Sequence, residues 1–237
     1  MEKKKILRFP CFSSKHPLHL SLLTILLNNF VIMKEEGNNT EQAILEAAEQ
    51  EFYKKGYAGS KTTEIAKAAG VTHAMLHYYF RTKENLFNKV FVEKSKVLAG
   101  SFTSKIDPNL SLEETIRISI EAHFDILVEN PTLPLFIYRE IFANENGEEV
   151  CRQTLLPNFK VAIRSLEKLI DEEMAKGTIR PISAIDLMTS AISLNVFIFI
   201  AHPMIKLLLE EKGEDYQEFL ARRKKENVEI ILSRLRK

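Results

Sequence analysis

The chain has 237 residues, 45% apolar and 27% charged, with a net charge of +1, the make-up of a soluble globular protein holding one large core or two small ones. Eight glycines and eight prolines are too few for many short strands and turns, and favour long helices. Cys11 and Cys151 have no CxxC and no ligand-spaced partner, which excludes a disulfide scaffold or a cysteine zinc module and fits a reducing cytoplasm.

Residues 1–33 differ from the rest. Lys3, Lys4, Lys5 and Arg8 precede an apolar stretch from Leu18 to Met33, the order of a signal peptide or membrane anchor. That stretch holds His19, Asn28 and Asn29 and falls short of the roughly 20 apolar residues of a span. The reading favoured is that Met33 is the true start and that residues 1–33, within a lead over 1–39, are poorly ordered or loosely helical.

From Asn39 the pattern is helix after helix, an all-α chain. Asn39 or Thr40 caps the first, whose stripe is Ile44, Ala47, Ala48 and Phe52, and Gly56 stops it. Ser60 caps a second helix from Lys61 to Ala69, ended by Gly70; Thr72 caps a third from His73 to Phe80; Thr82 caps a fourth from Lys83 to about Phe102, with Asp107-Pro108 beyond it. Ser111 and Glu114 form a capping box that opens a helix to about Glu129. Asn130-Pro131 and Pro134 break the chain before a helix over Leu135–Asn144, and Asn146-Gly147 follows it. A long helix is expected from Glu148 to Lys176, kinked at Pro157, then an apolar one over Ser183–Ile200 and a charged one over Asp215–Arg236.

Charge is unevenly placed. Residues 54–96 carry nine lysines and arginines against three glutamates, whereas residues 97–237 carry 18 basic against 22 acidic. A basic segment on an otherwise acidic chain suits a polyanion, or is simply a solvated helix surface. The helices around Gly70 decide between the two. They are too short to stand alone; Ala66 allows a close crossing, Gly70 a sharp turn, and Val71 fills the angle, as in a helix-turn-helix. On the third helix Leu76, Tyr79 and Phe80 cluster toward the core. Ala74, His77 and Tyr78 lie opposite, flanked by His73 and Met75 and free of acidic groups, a face suited to phosphates and base edges. Thr62, Thr63 and Thr72 stand near helix starts, where anions are favoured, and Lys83 adds charge to a fourth start.

These residues carry a resemblance. Gly56-Tyr57, Thr62-Thr63 through Ile65-Ala66 to Gly70-Val71-Thr72, then Leu76 through Tyr79-Phe80 to Lys83-Glu84 and Leu86-Phe87 strongly resemble the TetR/AcrR family over about residues 40–90. The resemblance implies that the third helix enters the major groove, that Lys83 contacts phosphate, that a variable C-terminal domain binds ligands, and that its last two long helices form a dimer bundle. His77 stands where many members have Tyr, and Met75 where Thr or Ser is common, which affects the operator sequence rather than DNA binding. Lys61, where Thr or Ser is usual, adds a possible phosphate contact. The expected organisation is a lead over 1–39, a three-helix DNA-binding domain over 40–85, and a ligand-binding and dimerisation domain over 86–237.

Within that last domain His123, Phe124, Tyr138 and Asn195 are the candidate ligand residues, polar or aromatic groups on apolar helices; Arg139, Glu140 and His202 are weaker ones. The bland alternative is that each is exposed or a paired core group. The rings Phe124, Phe136, Phe142 and Phe159 are read as core. Ala191–Leu209 is apolar enough to suggest a span, but Asn195, His202, Pro203 and Lys206 interrupt it, so a buried helix serving core and dimer interface is preferred. His73 and His77 have zinc-like spacing without a third ligand; no metal or cofactor is expected. No nucleophile motif, phosphate loop or paired carboxylates point to an enzyme. The expected partners are double-stranded DNA, a second copy, and a small apolar or amphipathic ligand, without a membrane. The rival is a DNA-binding protein that acts through protein partners and has no small-molecule ligand.

Overall fold

A computed structural model describes residues 39–101, 110–143 and 147–237. The lead over 1–33, the Asp107-Pro108 break, Asn146 and the Phe142 side chain lie outside the described residues. Residues 44–237 form one compact unit. The described residues are helical, with no strand among them. The helices are α1 (39–59), α2 (Thr62–Ala68), α3 (His73–Phe80), α4 (Lys83–Gly100), α5 (Leu112–Glu129), α6 (Leu133–Ala143), α7 (Gly147–Thr154), α8 (Leu156–Ala175), α9 (Ala184–Ile200), α10 (His202–Lys212) and α11 (Tyr216–Ser233).

Local capping sets most of these starts. Thr72 accepts from the Met75 amide and Thr82 from the Asn85 amide, each satisfying a first-turn donor. Ser111 and Glu114 form the reciprocal capping box of α5. Five boundaries differ from expectation. Lys61, not Ser60, stands at the start of α2 and gives no side-chain cap; the Ser60 hydroxyl is spent on the carbonyls of Gly56 and Glu51. Gly56 has the left-handed φ of +67° expected of a helix end, yet the helix is assigned on to residue 59. Pro134 falls in the first turn of α6, where its missing N–H costs nothing. The expected long helix is two, parted at Leu155, with Pro157 in the first turn of α8. His202-Pro203 opens a further helix, α10, meeting α9 at 72°.

One core joins the first four helices to the C-terminal body. Phe136 of α6 lies 6.0 Å from Phe87 and 5.8 Å from Phe91 of α4, and 4.8 Å from Tyr53 of α1. Phe52 meets Phe87 edge-on at 5.1 Å. Phe52, Phe91 and Phe136 are fully enclosed, and burying each such ring contributes about 2–3 kcal/mol. A second core lies where α11 packs on α5 and α9, around Ile116, Ile120, Leu187 and Ile231. Phe124 is buried and Phe159 half-buried. No single helix among the described residues is long and apolar enough to cross a membrane; α9 and α10 pass that test only together, across their 72° bend.

Candidate functional site

The basic end of the molecule is built on α2 and α3. Ile65 and Ala66 of α2 and Leu76 and Phe80 of α3 are buried, which fixes the rotation of both helices. The opposite face of α3 is then turned outward. His73, Ala74, Met75, His77 and Tyr78 are all exposed, Tyr78 at 79%, and Tyr79 is half-buried. Lys61, Thr63 and Thr72 are exposed and Thr62 is half-buried.

Several of these groups hold one another. Thr62 Oγ1 lies 2.9 Å from His73 Nε2, tying the start of α2 to the start of α3. The His73 and His77 rings meet edge to face at 4.4 Å. His77 Nδ1 lies 2.9 Å from the Arg81 carbonyl oxygen. A carbonyl only accepts, so Nδ1 carries the proton, and in the neutral ring Nε2 is left as an acceptor. Arg81 has φ +60°, the one non-glycine in that region among the described residues. Its amide caps α3 at the His77 carbonyl, so α3 ends in a turn closed from both sides by His77. Because the Thr72 and Thr82 hydroxyls accept from helix amides, their own O–H groups remain to donate outward. Lys83 Nζ sits 4.6 Å from the centroid of the Tyr57 ring, a cation–π contact that places its charge at the start of α4. The arrangement offers donors and a net positive charge to phosphates, and a narrow convex helix to a groove.

Residues 44–90 match the family model described as bacterial regulatory proteins, tetR family. Over that stretch the chain carries a TetR-family DNA-binding segment. The fatty acid metabolism regulator protein of Bacillus subtilis is 26% identical over 137 residues, 58% of this chain and 69% of that one. The HTH-type transcriptional regulator YttP of the same organism is 33% identical over 110 residues, 44% of this chain, and the match spans about half, 51%, of its length. Among solved structures, a linker-substituted mutant of HlyIIR superposes with a TM-score of 0.57 at 27% identity, covering 84% of this chain and 98% of that one. The described residues are all-α, residues 44–90 carry a TetR-family helix-turn-helix, and the chain is similar to DNA-binding transcription regulators of that family.

The C-terminal candidates separate into three places. His123 and Asn195 are brought together, both buried, with Asn195 Nδ2 donating to His123 Nδ1 at 3.1 Å and to the Ile120 carbonyl at 3.0 Å. Asn227 of α11 extends the chain: its Nδ2 donates to Asn195 Oδ1 at 2.9 Å, and its Oδ1 accepts from Arg223 at 2.7 Å. Burial pushes the His123 pKa down to about 3, so the ring is neutral and accepts at Nδ1. The set joins α5, α9 and α11 as a paired polar core. Phe124 packs on Phe199 at 5.8 Å. Tyr138 is 51% exposed on α6. An apolar pocket lies elsewhere, between α5, α8 and α9, and includes Thr115, Ser119, Ser165 and Met188 but none of the four candidates. The signal that pointed to it was present: Thr115 and Ser119 are hydroxyls one turn apart on the α5 stripe.

Arg139 and Glu140 were weak ligand candidates. They instead grip the end of α1: Arg139 donates to the Phe52 carbonyl at 2.9 Å, and Glu140 accepts from the Tyr57 amide at 3.2 Å. Cys151 is a half-buried free thiol. Among the described residues no cluster of three or more His, Cys, Asp or Glu could hold a metal.

Proposed function

We propose that the chain acts as a homodimeric, ligand-responsive repressor of a near-palindromic operator. DNA contact is assigned to residues 40–85, and ligand binding and dimerisation to residues 86–237. The observation that carries this reading is the outward face of α3, exposed along His73, Ala74, Met75, His77 and Tyr78 without an acidic group and ringed by Lys61, Thr62, Thr63, Thr72 and Lys83. The histidines and Tyr78 supply polar edges, Ala74 and Met75 touch thymine methyls, and Lys83 meets phosphate.

Dimerisation is supported by apolar side chains left in the open. Phe197, Met204, Leu207 and Leu208 of α9 and α10 are 52–62% exposed, a concentration that a monomer leaves in water at a cost. The outer face of α11 carries Glu218, Arg222, Lys225, Glu226 and Glu229 instead. Two α3 helices related by a twofold axis reach successive major grooves about one helical turn apart, hence a palindrome. A ligand that binds better to a different spacing of the heads releases the operator; equal affinity for both spacings would shift nothing. The likeness to a fatty acid metabolism regulator supports a small apolar or amphipathic effector. The proposed setting is the cytoplasm, and no catalytic role is assigned.

The test is selection of random duplex DNA by the full chain at near-physiological salt. A near-palindrome with half-sites about 10 base pairs apart is the expected product; salt-sensitive binding without any preferred sequence overturns specific regulation. Leu207→Asp, placed on the exposed apolar face, should give monomers and lose the paired half-site footprint.

A further inference from the structure

The two ring nitrogens of His77 have different duties. Nδ1 donates to the Arg81 carbonyl oxygen at 2.9 Å. Arg81 has φ +60°, and its amide returns to the His77 carbonyl. The turn that ends α3 therefore also holds the ring and fixes its tautomer. Nε2, at the tip of this exposed side chain, has no partner among the described residues. His73 is placed differently. Its ring meets that of His77 at 4.4 Å, but its own Nε2 is engaged by Thr62 Oγ1 of α2 at 2.9 Å. Of the two rings, His77 alone has its tip nitrogen free.

Imidazole is the side chain that gains a proton between about pH 8 and pH 5. At His77 that gain inverts what Nε2 offers. The neutral ring accepts there and the cationic ring donates there. The bond from Nδ1 to the Arg81 carbonyl suits both forms, so the ring need not move. The bonds and contacts of the two imidazoles are to Thr62, to Arg81 and to each other, and none is to a carboxylate among the described residues. The helices packed against α3 bring Lys61, Glu64 and Lys67 on α2 and Lys83 and Glu84 on α4, and Arg81 lies in the turn. DNA phosphates add the negative charge that favours a cationic ring. Two cationic rings 4.4 Å apart repel, so one proton is taken up between them, and His77 is the ring with a free nitrogen to direct it at a base.

We propose that His77 determines specificity in a proton-dependent way: neutral, it selects a base that donates in the major groove, and protonated, a base that accepts. This rests on the assignment of α3 to DNA and deepens it. Cytosine presents only its N4 donor there and guanine only its N7 and O6 acceptors, so the choice between these two inverts with the proton. Adenine carries both N6–H and N7 and is tolerated in either state. The chain thereby prefers one set of sites above neutrality and another below it.

The experiment uses the full chain and the operator selected from random duplex DNA at pH 8. The base pair read by His77 is the one whose replacement weakens the unaltered chain but not His77→Gln. Duplexes with cytosine or guanine at that position are then titrated at pH 8 and pH 6. The ratio of the two affinities at one pH cancels any effect of acid on folding, dimerisation or phosphate contact. Cytosine should be preferred about tenfold at pH 8, and the ratio should shift toward guanine about tenfold or more by pH 6. His77→Gln donates and accepts at both pH values and should lose the shift; His73→Gln should keep it. A ratio that ignores pH, a shift that survives His77→Gln or vanishes in His73→Gln, or no base pair that depends on His77 overturns the proposal. The two readings fail distinguishably. A selected operator with a pH-independent ratio removes the proton-dependent choice alone, whereas no selected sequence at either pH removes the specific-operator reading with it.

Discussion

Arg139 on α6 donates a hydrogen bond to the main-chain carbonyl of Phe52 on α1, at 2.9 Å. Phe52 lies in the last turns of α1, where carbonyls run out of helical partners. Gly56, with φ +67°, brings the backbone so close that an added Cβ would lie 2.9 Å from the guanidinium carbon of Arg139. Arg139→Ala should therefore destabilise the fold by about 1–3 kcal/mol. Gly56→Ala should cost about 1–2 kcal/mol for its left-handed backbone, plus displacement of Arg139. Because the two changes damage the same contact, the double variant should lose less than the sum, measured by urea denaturation. Strict additivity would mean that the guanidinium contributes nothing at Gly56.

Lys83 should act through charge alone. Its Nζ is parked over the Tyr57 ring at a helix start, a position for phosphate rather than for a base. Lys83→Ala should weaken binding to all duplexes alike and lower the slope of log affinity against log salt by about one. The sequence selected from random DNA should not change. Binding isotherms across a salt series check this, and an unchanged slope would remove Lys83 from the interface.

His77 should act through identity. With Nδ1 donating to the Arg81 carbonyl, the neutral ring offers Nε2 as an acceptor on the exposed face, matched by the amino groups of adenine and cytosine. His77→Phe keeps the ring and loses both bonds. We expect a preference at one base pair to be relaxed by about 1–3 kcal/mol, with the salt slope unaltered. Repeating the selection with the variant reads this out directly.

His123 predicts an acid limit to stability. Burial holds its pKa down at about 3, against an ordinary value near 6.5. Between these values the unfolded chain binds a proton that the folded chain refuses, so stability falls as pH drops below about 6.5. The steepest contribution is about 1.4 kcal/mol per pH unit. His123→Leu should remove that part of the slope and, by stranding the Asn195 amide donor, lower stability at pH 8. Denaturation midpoints from pH 8 to pH 5 test both signs.

Some of this protein is determined by neighbours along the chain. Thr72, Thr82 and the Ser111–Glu114 pair cap helices through bonds that span three residues, and the outward face of α3 follows from a 3.6-residue period set by Leu76 and Phe80. Such short-range chemistry is decided before the chain packs, which is why the helix-turn-helix and its outward-facing residues are legible in sequence. Where a residue has two uses, packing chooses. Ser60 looks like a cap for α2 but spends its hydroxyl on the end of α1; Tyr138 looks like a pocket residue but stands in the open. His123, Asn195 and Asn227 lie 72 and 32 residues apart, and only the packing of α5, α9 and α11 makes them one buried set. Likewise the pocket lined by Ala162 of α8 and Ala191 of α9 belongs to no single helix. Sequence alone determined the helices and the reading head, because those depend on local periodicity and capping. Tertiary structure decided which polar groups are paired, which face is left uncovered and where space remains between helices, because desolvation and void volume arise only when distant segments close on one another.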